Sequence, residues 1–291
     1  MPVDMDEPYG GEDPADEAYR VPGLERGLRI LGEFSRKEPV LGAPEISRRL
    51  QIPRTTVFRL LQTLESMGFV ERANRDPSFQ LGAAVLHLGS GYLKSLPVIK
   101  HGLPVIERLR DRIGLTVHLV IRDGTDIVYA ARAEGPSSKP GNFKVNLGTR
   151  LPAHATVHGQ VLLSDLDFEE LAKLYKATRL RRFSSHTPAT IEDLYERLVM
   201  TSAQGYGMSE SYFESGVSAI SAPVRCKTGS IVAVVAVTIA RPKIDGNFNK
   251  SSLVVDVVNA AEEISKILRY DGVRGRVIRG DRDPIPWGGA R

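Results

Sequence analysis

From Arg49 to Val70, Val57, Leu60, Leu61 and Leu64 recur at i, i+3, i+4 and i+7, so this segment reads as a helix with one apolar face that packs on other helices. At about 100° per residue, Thr55, Arg59, Gln62 and Ser66 fall roughly opposite Val57, with Thr56 and Thr63 on the flank. Pro53 suits the first turn, where a missing N–H has no intrahelical partner, and Gly68 stands where the helix should stop. Upstream, Ala43 to Leu50 reads as a short helix with Ile46 and Leu50 inward, one tight turn away. Gly23 to Ser35 offers Leu24, Leu28, Leu31 and Phe34 as the buried stripe of a first helix. Downstream, Phe69 to Arg72 and Ser78 to Leu81 flank the polar stretch Asn74-Arg75-Asp76-Pro77 and predict two short strands around a turn. The order is that of a winged helix-turn-helix.

In such a unit the N-terminal residues of the second helix meet base edges in the major groove, so Thr55, Thr56 and Arg59, with Gln62 on the same face, are the expected readers. Arg54 and the wing residue Arg75 are assigned to phosphate. The alternative is a helical protein-interaction module whose arginines are only solvated. Helix, turn, helix and basic wing in sequence favour duplex DNA.

Beyond the wing, Ala83 to Leu96 predicts a connecting helix with Val85, Leu86, Leu88, Gly89 and Tyr92 available for contacts, of the kind that holds subunits together. Pro97 to Gly114 predicts a helix carrying Val98, Leu103, Val105, Ile106, Leu109 and Ile113. Thr116 to Arg122 and Ile127 to Ala133 around Asp123-Gly124 predict a hairpin. A second hairpin spans Val217 to Arg225 and Ile231 to Ala240; its second strand is apolar on both faces and hence central. Helices over Phe168 to Lys176, Ile191 to Gln204 and Asn247 to Leu268 would cover the sheet, giving an α+β domain on an antiparallel sheet.

With 291 residues the chain has room for two cores. Its net charge is +4, yet the first nineteen residues hold seven acids and no Lys or Arg, so the remainder is more basic than the total, as a polyanionic partner would favour. The expected division is an acidic disordered leader over 1–22, a DNA-binding domain over 23–82, a linker helix over 83–96, a second domain over 97–269 and a flexible tail over 270–291. The leader lacks the marks of a signal peptide. The apolar run Ile231 to Ala240 is shorter than the roughly 20 residues that span a bilayer. A single cysteine, Cys226, read as an ordinary strand residue, fits a reducing cytoplasm.

Candidate chemistry changes little. His154 and His158 stand four apart, but no third ligand accompanies them, so the reading is a packed His154 at a helix start and a His158 bordering a pocket, with no metal. His87, His101, His118 and His186 are scattered and are read as packed or solvated. Ser209, Ser218 and Ser221 lack a nucleophile elbow or a placed base, so no catalytic residue is assigned. Arg132 could pair with a ligand carboxylate, and is read instead as a surface strand arginine.

The order of motifs resembles the IclR family of bacterial transcriptional regulators from about Gly23 to Leu268. The match lies in Gly-Leu-Glu-Arg-Gly-Leu-Arg-Ile-Leu at 23–31, Ile-Pro-Arg-Thr-Thr-Val-Phe-Arg-Leu-Leu at 52–61, Leu-Pro-Ala-His-Ala-Thr-Val-His-Gly at 151–159, Gly-Tyr-Gly-Met-Ser-Glu-Ser at 205–211 and Gly-Val-Ser-Ala-Ile-Ser-Ala-Pro-Val at 216–224. The resemblance implies a winged helix-turn-helix, a linker helix and a GAF-like C-terminal domain that binds a small metabolite in an open pocket, in dimers that often pair into tetramers. Carried over by position, it places Val157, His158, Ser209, Ala219, Ala236 and Thr238 around the ligand, with Met208, Tyr212 and Phe213 near in sequence. Members that bind small polar acids are expected to hold an acid, a cysteine and serines where this chain has Ser209, Ala219, Ala236 and Thr238. The pocket is thus expected to be less polar and its ligand larger and more apolar, since each buried ligand oxygen without a partner costs about 1–3 kcal/mol. Residues Val145 to Leu163 look most like the branch that senses aromatic acids such as protocatechuate or hydroxybenzoate.

The expected function is that of a homo-oligomeric, cytoplasmic regulator, not an enzyme and without a cofactor. It binds a palindromic operator and its affinity is changed by an organic acid. The alternative is a small-molecule sensor or enzyme whose N-terminal helices serve assembly.

Overall fold

The computed structural model describes residues 21–35, 38–73, 77–136, 145–244 and 250–270. The chain divides into two units, one ending at Leu96 and the other beginning at Pro97. The wing turn with Arg75, most of the acidic leader and the C-terminal tail lie outside the described residues.

The N-terminal unit runs α1 (Pro22–Glu33), β1 (Leu41–Gly42), α2 (Ala43–Leu50), α3 (Arg54–Ser66), β2 (Val70–Arg72), β3 (Ser78–Leu81) and α4 (Ala84–Ser95). Its core gathers Ile30, Phe34, Ile46, Leu50, Val57, Leu61, Val70 and Phe79, with Leu31, Leu60 and Leu64 half-buried against it. The α1 stripe differs from the expected one: Gly27, Ile30 and Phe34 face the core, whereas Leu24 and Leu28 are 63% and 60% exposed. This helix is apolar on two adjacent sides, and periodicity alone cannot choose between stripes about 80° apart. Pro53 also moves. It caps α3 with ψ 134° instead of lying in the first turn, and its carbonyl accepts from the N–H groups of Thr56 and Val57.

The turn between α2 and α3 holds Gln51 at φ 53°, while the Ser47 hydroxyl donates to the Ile52 carbonyl at 2.7 Å. Arg49, at the end of α2, meets Glu33 at 3.6 Å, Glu38 at 2.9 Å and Glu45 at 2.6 Å, which ties α2 to the end of α1. Bonds from Arg48 and then Arg49 hold the Glu45 carboxyl down at about 2. The wing is a three-stranded antiparallel sheet of order β1-β3-β2, with Leu41 opposite Phe79. Strand β1, two residues long, carries no alternation and was not expected from sequence.

The C-terminal unit runs α5 (Pro97–Ile113), β4 (Val117–Asp123), β5 (Asp126–Ala133), β6 (Arg150–Pro152), a 3-10 turn (Ala153–Ala155), α6 (Val157–Leu163), α7 (Phe168–Leu174), α8 (Ile191–Gln204), β7 (Gly207–Glu210), β8 (Ser218–Arg225), β9 (Ile231–Ile239) and α9 (Lys250–Ile267). Its strands form one antiparallel sheet of order β6-β5-β4-β9-β8-β7, so the doubly apolar β9 is central, as its sequence requires. One face is covered by α5 and α9, the other by α6. On α5, Leu103 is 38% exposed and Gly102 occupies the buried position instead. Cys226 lies just past β8 in the hairpin turn, its N–H donating to the Ser230 carbonyl. Among the described residues, no helix is long and apolar enough to cross a membrane.

Candidate DNA interface and effector site

On α3, full burial of Val57 and Leu61 fixes the rotation of the helix, and the opposite face is therefore open. Arg54, Thr55, Arg59 and Gln62 are exposed and Thr56 is half-buried. Five of the six expected DNA contacts thus lie on α3, with Thr55, Thr56, Arg59 and Gln62 on the face away from Val57 and Leu61 and Arg54 at the helix start; Arg75 is the sixth. None of the four exposed side chains is tied into an ion pair among the described residues. A cleft of about 470 Å³ runs between the start of α3, the start of α2 and the wing, lined by Arg54, Thr55, Phe58, Arg59, Pro77 and Phe79 among others. Phe58, 41% exposed, is a side chain the sequence reading missed. Its signal was there: it falls three residues after Thr55 and off the Val57 stripe. An apolar group at this place suits a thymine methyl.

The second site is the sheet face under α6. Antiparallel partners share a face, so the register defines what lies there. One row is Ser209, Ala219 and Thr238 across β7, β8 and β9; the next is Gly207, Ser221, Ala236, His118 and Arg132 across β7, β8, β9, β4 and β5. The β4–β5 register shifts between Leu119 and Val120, which pairs Val120 with Tyr129. That shift lets Tyr129 and Arg132, three residues apart, lie on the same side. The His118 and Tyr129 rings stand edge to face at 5.2 Å, and Tyr129 meets the His158 ring at 6.0 Å.

Above this face, Thr156 caps α6 by accepting from the Gly159 N–H at 3.1 Å, and Val157 and His158 occupy the first turn. Gly207 of β7 passes so close that a Cβ there would lie 2.7 Å from both Val157 and Val161. Tyr212 is fixed beside α6 by Gln160 at 2.7 Å and Arg197 at 3.2 Å, and Phe213 packs on Phe183 with ring centres 5.1 Å apart. Of the nine positions expected around a ligand, Val157, His158, Ala219 and Ala236 are buried, and Ser209, Thr238, Met208, Tyr212 and Phe213 are half-buried. The helix α6 above this face is buried along its whole length, and the half-buried positions lie on β7, on β9 and in the turn after β7.

Polar side chains also lie on this face, beyond the four positions compared above. Five buried side-chain atoms lack a hydrogen-bond partner among the described residues: His118 Nδ1, Arg132 Nε, His158 Nδ1, Ser221 Oγ and Thr238 Oγ1. All five belong to this face or to α6 above it. His118, expected packed or solvated, is buried next to Ala236, and Arg132, expected as a surface strand arginine, is half-buried one strand further on. Burial, with the nearby His158 and Arg132, pushes the His118 imidazole down to about 3. Burial alone brings His158 to about 4. Both rings are neutral at physiological pH, and Arg132 supplies the positive charge. By contrast His154 is engaged elsewhere: its Nε2 meets the Arg181 carbonyl at 3.0 Å and its ring meets Tyr175.

Comparison with known proteins agrees with this architecture. The sequence profile of the IclR helix-turn-helix domain matches residues 23–73, and that of the bacterial transcriptional regulator IclR C-terminal domain matches residues 90–266. The HTH-type transcriptional repressor AllR of Klebsiella pneumoniae is 33% identical over 218 residues, 74% of this chain and 78% of its own length. The crystal structure of Thermotoga maritima IclR superposes with a TM-score of 0.69 at 23% identity, covering 86% of this chain and all of that one. An IclR homologue from Microbacterium hydrocarbonoxydans, crystallised with 4-hydroxybenzoate, gives 0.73 at 23% identity, covering 85% and 99%.

Proposed function

This chain belongs to the IclR family of bacterial transcriptional regulators, and we propose that it reads a palindromic operator through Thr55, Thr56, Phe58, Arg59 and Gln62 of α3, with Arg54 and Arg75 on phosphate. The family is one of DNA-binding regulators with a C-terminal effector-binding domain, not of enzymes. The observation that carries the reading is the exposed polar face of α3, fixed by the buried Val57 and Leu61 beneath it. The effector is an organic acid held over Val157, His158, Ser209, Ala219, Ala236 and Thr238, with Met208, Tyr212 and Phe213 at the margin. The 4-hydroxybenzoate carried by the Microbacterium homologue supports an aromatic acid. A homodimer or tetramer, working in the cytoplasm, is the acting form. Support comes from α4, which buries no residue within one chain and leaves Leu86, Leu88 and Tyr92 at 75%, 61% and 51% exposure.

Regulation requires the effector to prefer one subunit arrangement, and the same coupling factor then changes DNA affinity. Arg59→Ala removes a guanidinium among the base-reading residues that can donate in bidentate fashion to guanine, so specific operator affinity is expected to fall about tenfold to a hundredfold. Fluorescence anisotropy on a labelled fragment from beside its own gene measures this. Affinity for effector should stay within about twofold. Equal operator binding by wild type and variant would remove Arg59 from the reading set.

A further inference from the structure

We propose that β4 and β5 hold a carboxylate subsite, formed by Arg132 Nε with the inward imidazole nitrogens of His118 and His158, that selects anionic over neutral flat ligands. This rests on the effector reading above and adds to it a pole that the family positions do not include. Those positions lie on α6, β7, β8 and β9 and in the turn after β7; His118 and Arg132 extend the row of one of them, Ala236, onto β4 and β5.

Three observations converge. First, His118 and His158 are 4% and 3% exposed, and each presents an Nδ1 without a partner among the described residues. Buried polar groups are nearly always satisfied, so two such rings joined through the edge of one tyrosine mark a place built for something polar. Second, Arg132 Nε is buried and unpaired although Nη2 meets Glu134 at 2.7 Å. Glu134 is 64% exposed, so this pair is a weak competitor for the guanidinium. A guanidinium fork accepts a carboxylate through two parallel N–H bonds, and Nε is one arm of such a fork. Third, the sheet floor beside these groups is Ala236, with Ala219 diagonal to it and Ser221 and Thr238 as their partners, so short side chains make a flat floor for the body of the ligand.

The register shift between Leu119 and Val120 is the device that assembles this pole. Without it Tyr129 would face α5 and α9, and the His118–Tyr129–His158 chain would not form. Ser221 Oγ and Thr238 Oγ1, the other two unpartnered atoms, belong to the residue paired with Ala236 on β8 and the residue two beyond Ala236 on β9, both on the β8 side of His118 and Arg132. The ligand is accordingly a monocarboxylate with a flat apolar body whose carboxylate points to β5.

The test uses the full-length protein and a matched probe pair, benzoate and its neutral amide benzamide, titrated by calorimetry. Wild type is expected to prefer benzoate by about tenfold or more. Arg132→Gln should erase that preference by weakening benzoate about tenfold to a hundredfold while leaving benzamide within about threefold. His118→Asn should weaken benzoate by a smaller factor, and Glu134→Gln should leave it unchanged or tighter. Operator binding without ligand checks that each variant is folded and reports separately on the DNA-binding reading. The subsite is overturned if wild type does not discriminate the two probes or binds neither up to about 10 mM. It is equally overturned if Arg132→Gln, still binding operator, keeps the wild-type preference.

Discussion

Between pH 7.5 and pH 5 the C-terminal unit is expected to lose about 4 kcal/mol of stability through two histidines alone. His118 on β4 and His158 in the first turn of α6 have pKa values depressed by burial from 6.5 to about 3 and about 4. In the unfolded chain both titrate near 6.5, so between these limits the unfolded state binds protons that the folded state refuses. Stability is complete above pH 6.5, falls as pH drops through the window, and levels only below the folded values. Each ring contributes at most about 1.4 kcal/mol per pH unit, and by pH 5 each has lost about 2 kcal/mol. Chemical denaturation followed by circular dichroism at several pH values measures the slope. Carboxylates also titrate toward pH 5, so the decisive comparison is with the His118→Gln, His158→Gln double variant. Its slope should be shallower by up to two protons. Matching slopes in the two proteins would mean that the rings are charged or exposed in the folded state.

Gly159→Ala has the next largest expected effect. A Cβ at Gly159 would lie 2.1 Å from the Ala153 carbonyl oxygen and 2.3 Å from the Ala153 Cα. These are backbone atoms of the 3-10 turn, which cannot step aside as a flexible side-chain tip can. Alanine is the better helix former by about 1 kcal/mol, so propensity alone predicts stabilisation. Overpacking against fixed backbone outweighs it. The turn and α6 must separate, which breaks the Thr156 cap and the Gln160 bond to the His154 carbonyl. A net loss of about 3 kcal/mol or more is expected. That corresponds to a fall of about 6–12 °C in the melting temperature of a unit this size. A change under about 2 °C would show that α6 does not approach the turn so closely.

Much of this fold was legible in the sequence because strong local signals carried it. The α3 stripe ended where Gly68 takes φ +75°, and the doubly apolar β9 belonged in the middle of a sheet. Ile191 to Gln204 was read to the residue, since Thr190 and Asp193 form a capping box at one end and Gly205 takes φ +80° at the other. What local signals do not carry was missed. Strands β1 and β6 are two and three residues long, too short for any alternation. The two apolar sides of α1 left its rotation open, and the neighbours that choose it are distant in sequence.

At the candidate sites the same division holds. The reading face of α3 follows from one helix, so periodicity could assemble it from adjacent residues. The face under α6 draws on β4, β5, β7, β8 and β9, and which residues meet depends on a register shift that no single strand reveals. Positions taken by resemblance landed on α6, the three strands near it and the turn after β7, whereas His118 and Arg132 belong to β4 and β5, further along the same face. Arg132 was conspicuous in the run Ile127-Val128-Tyr129-Ala130-Ala131-Arg132-Ala133. An isolated charge among apolar strand residues merits a buried partner before a solvated surface is assumed.

The most direct test of the central claim, that α3 grips duplex DNA with sequence preference, is titration of the wild-type protein on DNA from beside its own gene. It is run at physiological salt against a scrambled fragment of equal length. The account predicts a complex on the native fragment that survives excess scrambled competitor and is weakened about tenfold to a hundredfold by Arg59→Ala, with a wild-type affinity at least about a thousandfold above the scrambled DNA. Equal affinity for the two fragments, with binding that fades together as salt rises, would reduce the interaction to general polyanion attraction and contradict it.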